Sequence, residues 1–368
     1  MTSPLFSPGA GSRWPALRGG LMALAAALLF GISTPLLQRL GSGLGSFTTA
    51  ALLYAGAALV GALLRQRIEK EARVQRADAP RLALMALFGA AIGPVALAWG
   101  LQHTSGVSAS LMLTLEAVFT ALLARAWYHE TLDRRVTLAL LLLTLGGMVL
   151  VLDRVQLNGG AASLMSGPNL GETLGLLAVL AATAAWGVDN TLSRALAERD
   201  PGQVVMFKGA LGATATALLA LALREPMPGA MAALGLLAVG ASGYGLSLRF
   251  YLLAQRAFGA ARTGSVFAFA PFVGALLAFM LGERDSSAWM LVGAVLMAAG
   301  IVLHLAERHG HEHVHDASEH EHAHGHDDGH HGHHHDDSTR GPHSHTHRHE
   351  PQRHVHAHVP DEHHAHRH

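Results

Sequence analysis

The sequence predicts an all-α membrane protein: ten transmembrane helices, built as two inverted five-helix repeats and followed by a disordered tail. Three observations carry this expectation. Apolar residues arrive in long uncharged blocks, two segments recur at a nearly constant offset, and the composition changes abruptly near residue 307. Of 368 residues, 50% are hydrophobic and only 14% are charged. Gly41–Leu64, Val136–Leu152, Gly229–Leu248 and Thr263–Gly282 each pass without one charge. A helix needs roughly 20 apolar residues to cross a hydrocarbon core about 30 Å thick.

The expected spans are 19–38, 44–64, 82–101, 106–125, 136–152, 173–192, 203–223, 230–253, 263–282 and 287–305. Residues 1–18 form an N-terminal segment. Residues 19–152 hold the first repeat, 153–172 a Gly-, Ser- and Asn-rich linker, 173–306 the second repeat and 307–368 the tail. The first apolar block continues into further spans, so it reads as a membrane helix and not as a cleaved signal peptide. Short loops with Lys and Arg stay on the cytoplasmic side. The N-terminus and the loops after even spans carry fifteen such residues, whereas the loops after odd spans carry four: Arg39, Arg154, Arg224 and Arg284. Both termini are therefore expected in the cytoplasm of a multi-pass plasma (inner) membrane protein.

The repeat is visible in two places. Leu24–Leu40 reads LAAALLFGISTPLLQRL and Leu180–Leu196 reads LAATAAWGVDNTLSRAL, 156 residues apart. Glu116–Ala124, EAVFTALLA, aligns with Ala270–Ala278, APFVGALLA, at an offset of 154. Each second match is followed by an acidic turn, His129-Glu130-Thr131 and Gly282-Glu283-Arg284. Five is an odd number, so two copies in series insert with opposite orientation, and such architectures place a solute site near the midplane between repeats.

These residues resemble the drug/metabolite transporter superfamily, EamA-type. In that family the fourth helix typically carries Leu-Glu-Pro-Val-Phe and ends in Gly-Glu-Arg. Here Ala117 stands at the usual proline, while the second copy keeps Pro271 and Gly282-Glu283-Arg284. The resemblance covers about residues 19–306. It implies a secondary transporter of small organic solutes (metabolite, amino acid or drug-like), commonly an exporter, working by alternating access. Efflux of divalent metal ions and a non-transporting membrane metal sensor are the alternatives. No nucleophile–base set and no phosphate loop appears, so an enzyme is not expected.

Charges inside spans are costly and mark paths, partners or packing. Glu116 lies near the middle of span four; it either lines the solute path or fixes neighbouring helices. Asp189 in span six and Lys208 in span seven are expected to form a structural ion pair, with a role for Asp189 in the substrate path as the other reading. Arg249 is expected to anchor span eight at the interface. Phe30, Trp186, Tyr244 and Tyr251 are candidate aromatic walls of a cavity. Pro35, Pro94 and Pro271 free backbone carbonyls inside spans, which puts Pro271 among the candidate path residues. Gly89-x-x-x-Gly93 permits close helix approach.

Up to Ala306 the chain has 21 Lys/Arg against 14 Asp/Glu; from Glu307 it has 5 against 12, with 24 histidines. With no cysteine anywhere, thiolate sites are excluded. The tail has no Leu, Ile or aromatic side chain with which to build a core. Its candidate metal ligands are His311, His313, His315, His320, His322, His324, His326, His330, His331, His333, His334 and His335. Imidazoles flanked by carboxylates suit zinc, nickel, cobalt or copper(II). No cofactor is required. The expected partners are the lipid bilayer, a small-molecule solute and divalent metal ions at the tail, and not nucleic acid.

Overall fold

The computed structural model describes residues 14–65, 72–128, 134–157, 169–196, 199–258, 260–283 and 287–305, and in the tail the backbone of 310–314, 318–324, 343–349 and 353–357. The first half comprises α1 (Trp14–Leu40), α2 (Ser46–Leu64), α3 (Ala79–Met85), α4 (Gly93–Leu101), α5 (Gly106–Met112), α6 (Glu116–Tyr128) and α7 (Arg134–Leu157). The second comprises α8 (Asn169–Ser193), α9 (Pro201–Ala222), α10 (Ala230–Val239), α11 (Ser247–Phe258), α12 (Ala260–Phe267), α13 (Ala270–Met280) and α14 (Ala288–Leu305).

Among the described residues, eight helical stretches are long and apolar enough to cross a membrane, from Arg18–Leu40 through Ala230–Arg256. The last two expected spans are shorter as continuous apolar helices, Ala270–Met280 and Ala288–Leu303. The ninth is interrupted at Ala268 and Phe269, just before α13, whose second residue is Pro271. Proline has no N–H to donate and a fixed φ, so it suits a helix start and not its interior.

The distribution of side chains is that of a bundle in lipid. Leu63, Met231 and Leu291 stand 74%, 83% and 66% exposed on the outside. Ser33, Thr34, Thr183, Asp189 and Lys208 are buried inside. Water would not tolerate so large an apolar exterior. Hydroxyls within the bundle bond back to their own helix, Thr183 to the Val179 carbonyl at 2.7 Å and Thr216 to that of Gly212 at 2.7 Å, so no backbone partner is demanded from lipid.

Equivalent helices of the two halves pack on each other and run antiparallel. Along the α2–α9 contact, Gly61 faces Met206 while Gly209 faces Ala58. Along α7–α14, Gly146 meets Gly293 and Met297, and Gly300 meets Ala139. Small residues let the backbones approach, which is how membrane helices gain dispersion energy without a hydrophobic drive. Two seven-residue π-helical turns, Ala86–Ile92 between α3 and α4 and Gly240–Leu246 between α10 and α11, occupy equivalent places in the halves.

The tail departs from the expected disorder along four stretches. Strand β1 (Gly310–Val314) pairs antiparallel with β4 (Arg353–Ala357), and β2 (Ser318–His324) with β3 (His343–His349). The His-x-His alternation has the two-residue period of a strand, a local preference that needs no core.

Candidate functional site

One cavity lies between the halves, with about 480 Å³ of empty space including its mouth. Helix α8 supplies Trp186, Asp189 and Asn190, which fall on one face because they are spaced i, i+3 and i+4. Phe30 comes from α1, Tyr54 from α2, Glu116 from α6 and Lys208 from α9. The second π-turn gives Gly243 and Tyr244; α11 gives Ser247, Leu248 and Tyr251; and α12 gives Phe267.

Glu116 is the first residue of α6, set there by a 3-10 turn at Leu113–Leu115 that ends α5. The Asn190 amide donates to its carboxylate. Lys208 donates to Asp189 Oδ2, and the two side chains are 3% and 5% exposed. Asp189 Oδ1 has no hydrogen-bond partner. A buried carboxylate oxygen left this way is costly unless something fills the position. With all three groups ionised, the cavity carries two carboxylates against one ammonium.

The first π-turn backs the lining residues of α2 and α8. Its Gly89 carbonyl accepts from Trp186 Nε1 at 3.0 Å and also from the Tyr54 hydroxyl. Gly89 itself must lack a Cβ, which would sit 2.3 Å from the Asp189 carboxyl carbon; a Cβ on Gly93 would come within 2.8 Å of Trp186 Nε1. The Gly-x-x-x-Gly pair thus admits α8 to the site. The rings form a continuous wall: Phe30 lies 5.7 Å from both Trp186 and Tyr244 and 5.4 Å from Phe267, and Tyr251 lies 5.1 Å from Phe267. Such a lining offers π faces and a few fixed polar groups to an organic molecule with one charged or polar end.

Of the residues singled out in the sequence, Glu116, Asp189, Lys208, Trp186, Tyr244, Phe30 and Tyr251 meet here. Pro271 does not; it is buried at the start of α13, apart from the cavity wall. Arg249 is not a plain interfacial anchor either, because its Nη1 is buried without a hydrogen-bond partner. Tyr54, Asn190, Gly243, Ser247, Leu248 and Phe267 also line the cavity and do not stand out in the sequence. The repeat was the available signal for one of them: the offset of 154 that carries Glu116 to Ala270 carries Tyr54 to Lys208. His311, His313, His320, His322 and His324 lie in β1 and β2, whereas His315, His326, His330, His331, His333, His334 and His335 lie outside the described residues.

Both ends of the helix bundle are bridged by polar contacts between halves. At one end Glu225 accepts from the backbone N–H groups of Phe47 and Thr48 at 3.2 and 2.7 Å, and Glu283 from that of Gly106 at 2.6 Å. These carboxylates satisfy the free N–H groups at the starts of α2 and α5. At the other end Arg199 bonds Asp78 at 3.0 Å, and the Asp200 N–H donates to the Ala72 carbonyl at 2.8 Å.

Comparison with known proteins agrees with this architecture. The model of the EamA-like transporter family matches twice, over residues 17–152 and 173–306. The chain is 27% identical over 314 residues to an uncharacterized transporter of Methanothermobacter thermautotrophicus, covering 80% of this chain and 88% of that one. A solved crystal structure shares the fold with a TM-score of 0.54 at 20% identity, over 77% of this chain and 94% of the other.

Proposed function

The chain belongs to the EamA-like transporter family, and we propose that this membrane transporter carries small organic solutes (metabolites, amino acids or drug-like molecules) outward by alternating access. The observation that carries the reading is the cavity between the halves, with its aromatic wall, its paired and unpaired carboxylate oxygens and its lysine. Antiparallel packing of equivalent helices supports ten crossings in two inverted repeats, with the site between them. The polar bridges at both ends are the contacts that would break in turn. On this reading the protein sits in the plasma membrane with both termini in the cytoplasm, and it is not an enzyme. The histidine-rich tail binds divalent metal ions and modulates transport without forming the path.

Metal-ion efflux is the weaker reading. Among the described residues of the helices and their connections no three His, Asp or Glu side chains gather where they could hold a metal ion, and Glu116 with Asp189 makes a poor ion path. Proteoliposomes loaded with a panel of amino acids, organic amines and carboxylates, and separately with zinc, discriminate the two. Counterflow of an organic solute without zinc movement supports the proposal. Zinc movement with no organic solute exchanged reverses it.

A further inference from the structure

The two strand pairs of the tail share a pattern that composition alone does not dictate. In β2–β3 the register sets His320 opposite His347, His322 opposite His345 and His324 opposite His343. In β1–β4 it sets His311 opposite His356 and His313 opposite His354. Strand alternation then puts every histidine of a pair on one face of its ladder, because partners directly opposite share a face and so do residues two apart. His349, opposite Ser318, joins the same face of β2–β3. The other faces hold Glu319 opposite Arg348 and Glu321 opposite Thr346 in one ladder, and Glu312 opposite Val355 in the other. From Val314 to Ser318 is four residues, as is the return from His349 to Arg353, so the two ladders keep one common register.

We infer that these ladders are two divalent transition-metal sites, each built from adjacent cross-strand histidine pairs, and that the metal and the strand pairing form together. The inference rests on the reading of the tail as metal-binding and assigns its ligands. Directly opposite residues have Cβ atoms roughly 4.5–5.5 Å apart. Two imidazole nitrogens at about 2.0–2.1 Å from one zinc ion lie within reach of that spacing. Two neighbouring pairs supply four nitrogens, the closed set that tetrahedral zinc or tetragonal nickel and copper(II) take. The β1–β4 ladder offers one such set in His311, His313, His354 and His356, and β2–β3 offers three pairs. A two-stranded ribbon is marginal by itself in water; cross-linking its strands through a metal couples binding to folding. His343, His345, His347, His354 and His356, each at least 19 residues from its cross-strand partner in sequence, thereby become ligands.

The test is hydrogen exchange of the full-length protein in detergent, with zinc chloride as the probe and zinc binding followed by equilibrium dialysis. The expected result is zinc-dependent protection of 310–314, 318–324, 343–349 and 353–357, without protection centred on 325–342. The triple substitution His343→Ala, His345→Ala, His347→Ala should lose the same tightly bound zinc as His320→Ala, His322→Ala, His324→Ala. Combining the two sets should lose no more. Replacing His330, His331, His333, His334 and His335 by Ala should leave the strand protection in place. Zinc bound with protection centred on 325–342, or lost in simple proportion to the number of histidines removed, overturns the ladders while leaving the tail a metal binder. No zinc bound beyond that of a chain truncated after Arg308 overturns the metal-binding reading as well.

Discussion

Replacing Lys208 by methionine removes the one ammonium in the cavity and keeps most of the side-chain volume. Asp189, 4% exposed and already without a partner at Oδ1, then loses its partner at Oδ2 as well. Breaking a buried ion pair by removing one member costs about 3–5 kcal/mol, because the remaining charge is left uncompensated. Asp189→Leu strands the 3%-exposed Lys208 in the same way and should cost a similar amount. The double substitution removes both charges and should cost no more than about 1–2 kcal/mol, since apolar replacement of a buried pair is often neutral. The coupling is therefore several kcal/mol and far exceeds the roughly 0.5 kcal/mol tolerance within which independent sites add. Unfolding of the four purified proteins in mixed micelles, titrated with denaturing detergent, measures it. A double variant as unstable as the two single variants summed would refute the ion pair as an energetic unit.

Three further outcomes follow from the same geometry. Gly89→Ala drives a methyl to 2.3 Å from the Asp189 carboxyl carbon; it should destabilise by about 1–3 kcal/mol and abolish transport. Gly171→Ala, whose methyl meets nothing closer than His103 at 3.8 Å, should be neutral or stabilising, and equal thermal shifts for the two would sink the steric account. Glu116→Gln keeps shape and the contact to Asn190 while removing the charge, so it should insert normally and lose solute flux; parental flux in proteoliposomes would make the carboxylate a packing residue only. Tail histidines ligate as neutral imidazoles, so zinc affinity should hold above about pH 6.5 and fall as protons compete below it, which dialysis from pH 8 to 5 reads directly, an unchanged affinity across that range contradicting imidazole ligation.

Much of the site was legible because charge and aromatic rings are rare in these spans. Glu116, Asp189 and Lys208 stand out in apolar surroundings, and their cost in lipid forces them inward. That spans four, six and seven converge on one cavity was not legible, since Asp189 and Lys208 lie on consecutive spans but Glu116 is brought to Asn190 only by tertiary packing. Tyr54 carries no charge to set it apart, and its signal lay only in the repeat, whose offset aligns it with Lys208; its hydroxyl donates to a carbonyl that the π-turn presents. The interruption before α13 could be read from Pro271. The matching 3-10 turn before α6 has no proline, because Ala117 stands there, and buried Leu113, Thr114 and Leu115 hold it by packing. In the tail, composition argued against a core and was silent on pairing, whereas the period of two in His-x-His was the signal for strands.

The central claim, that the cavity opens to each side of the membrane in turn, can be measured on this chain because it has no cysteine to remove. Leu248→Cys places one thiol in the half-buried cavity lining. Small membrane-impermeant methanethiosulfonates are then applied to right-side-out and inside-out vesicles, with and without a transported solute. Alternating access predicts modification from both sides and protection from both by the solute. Modification from one side only, under every solute condition, would contradict it.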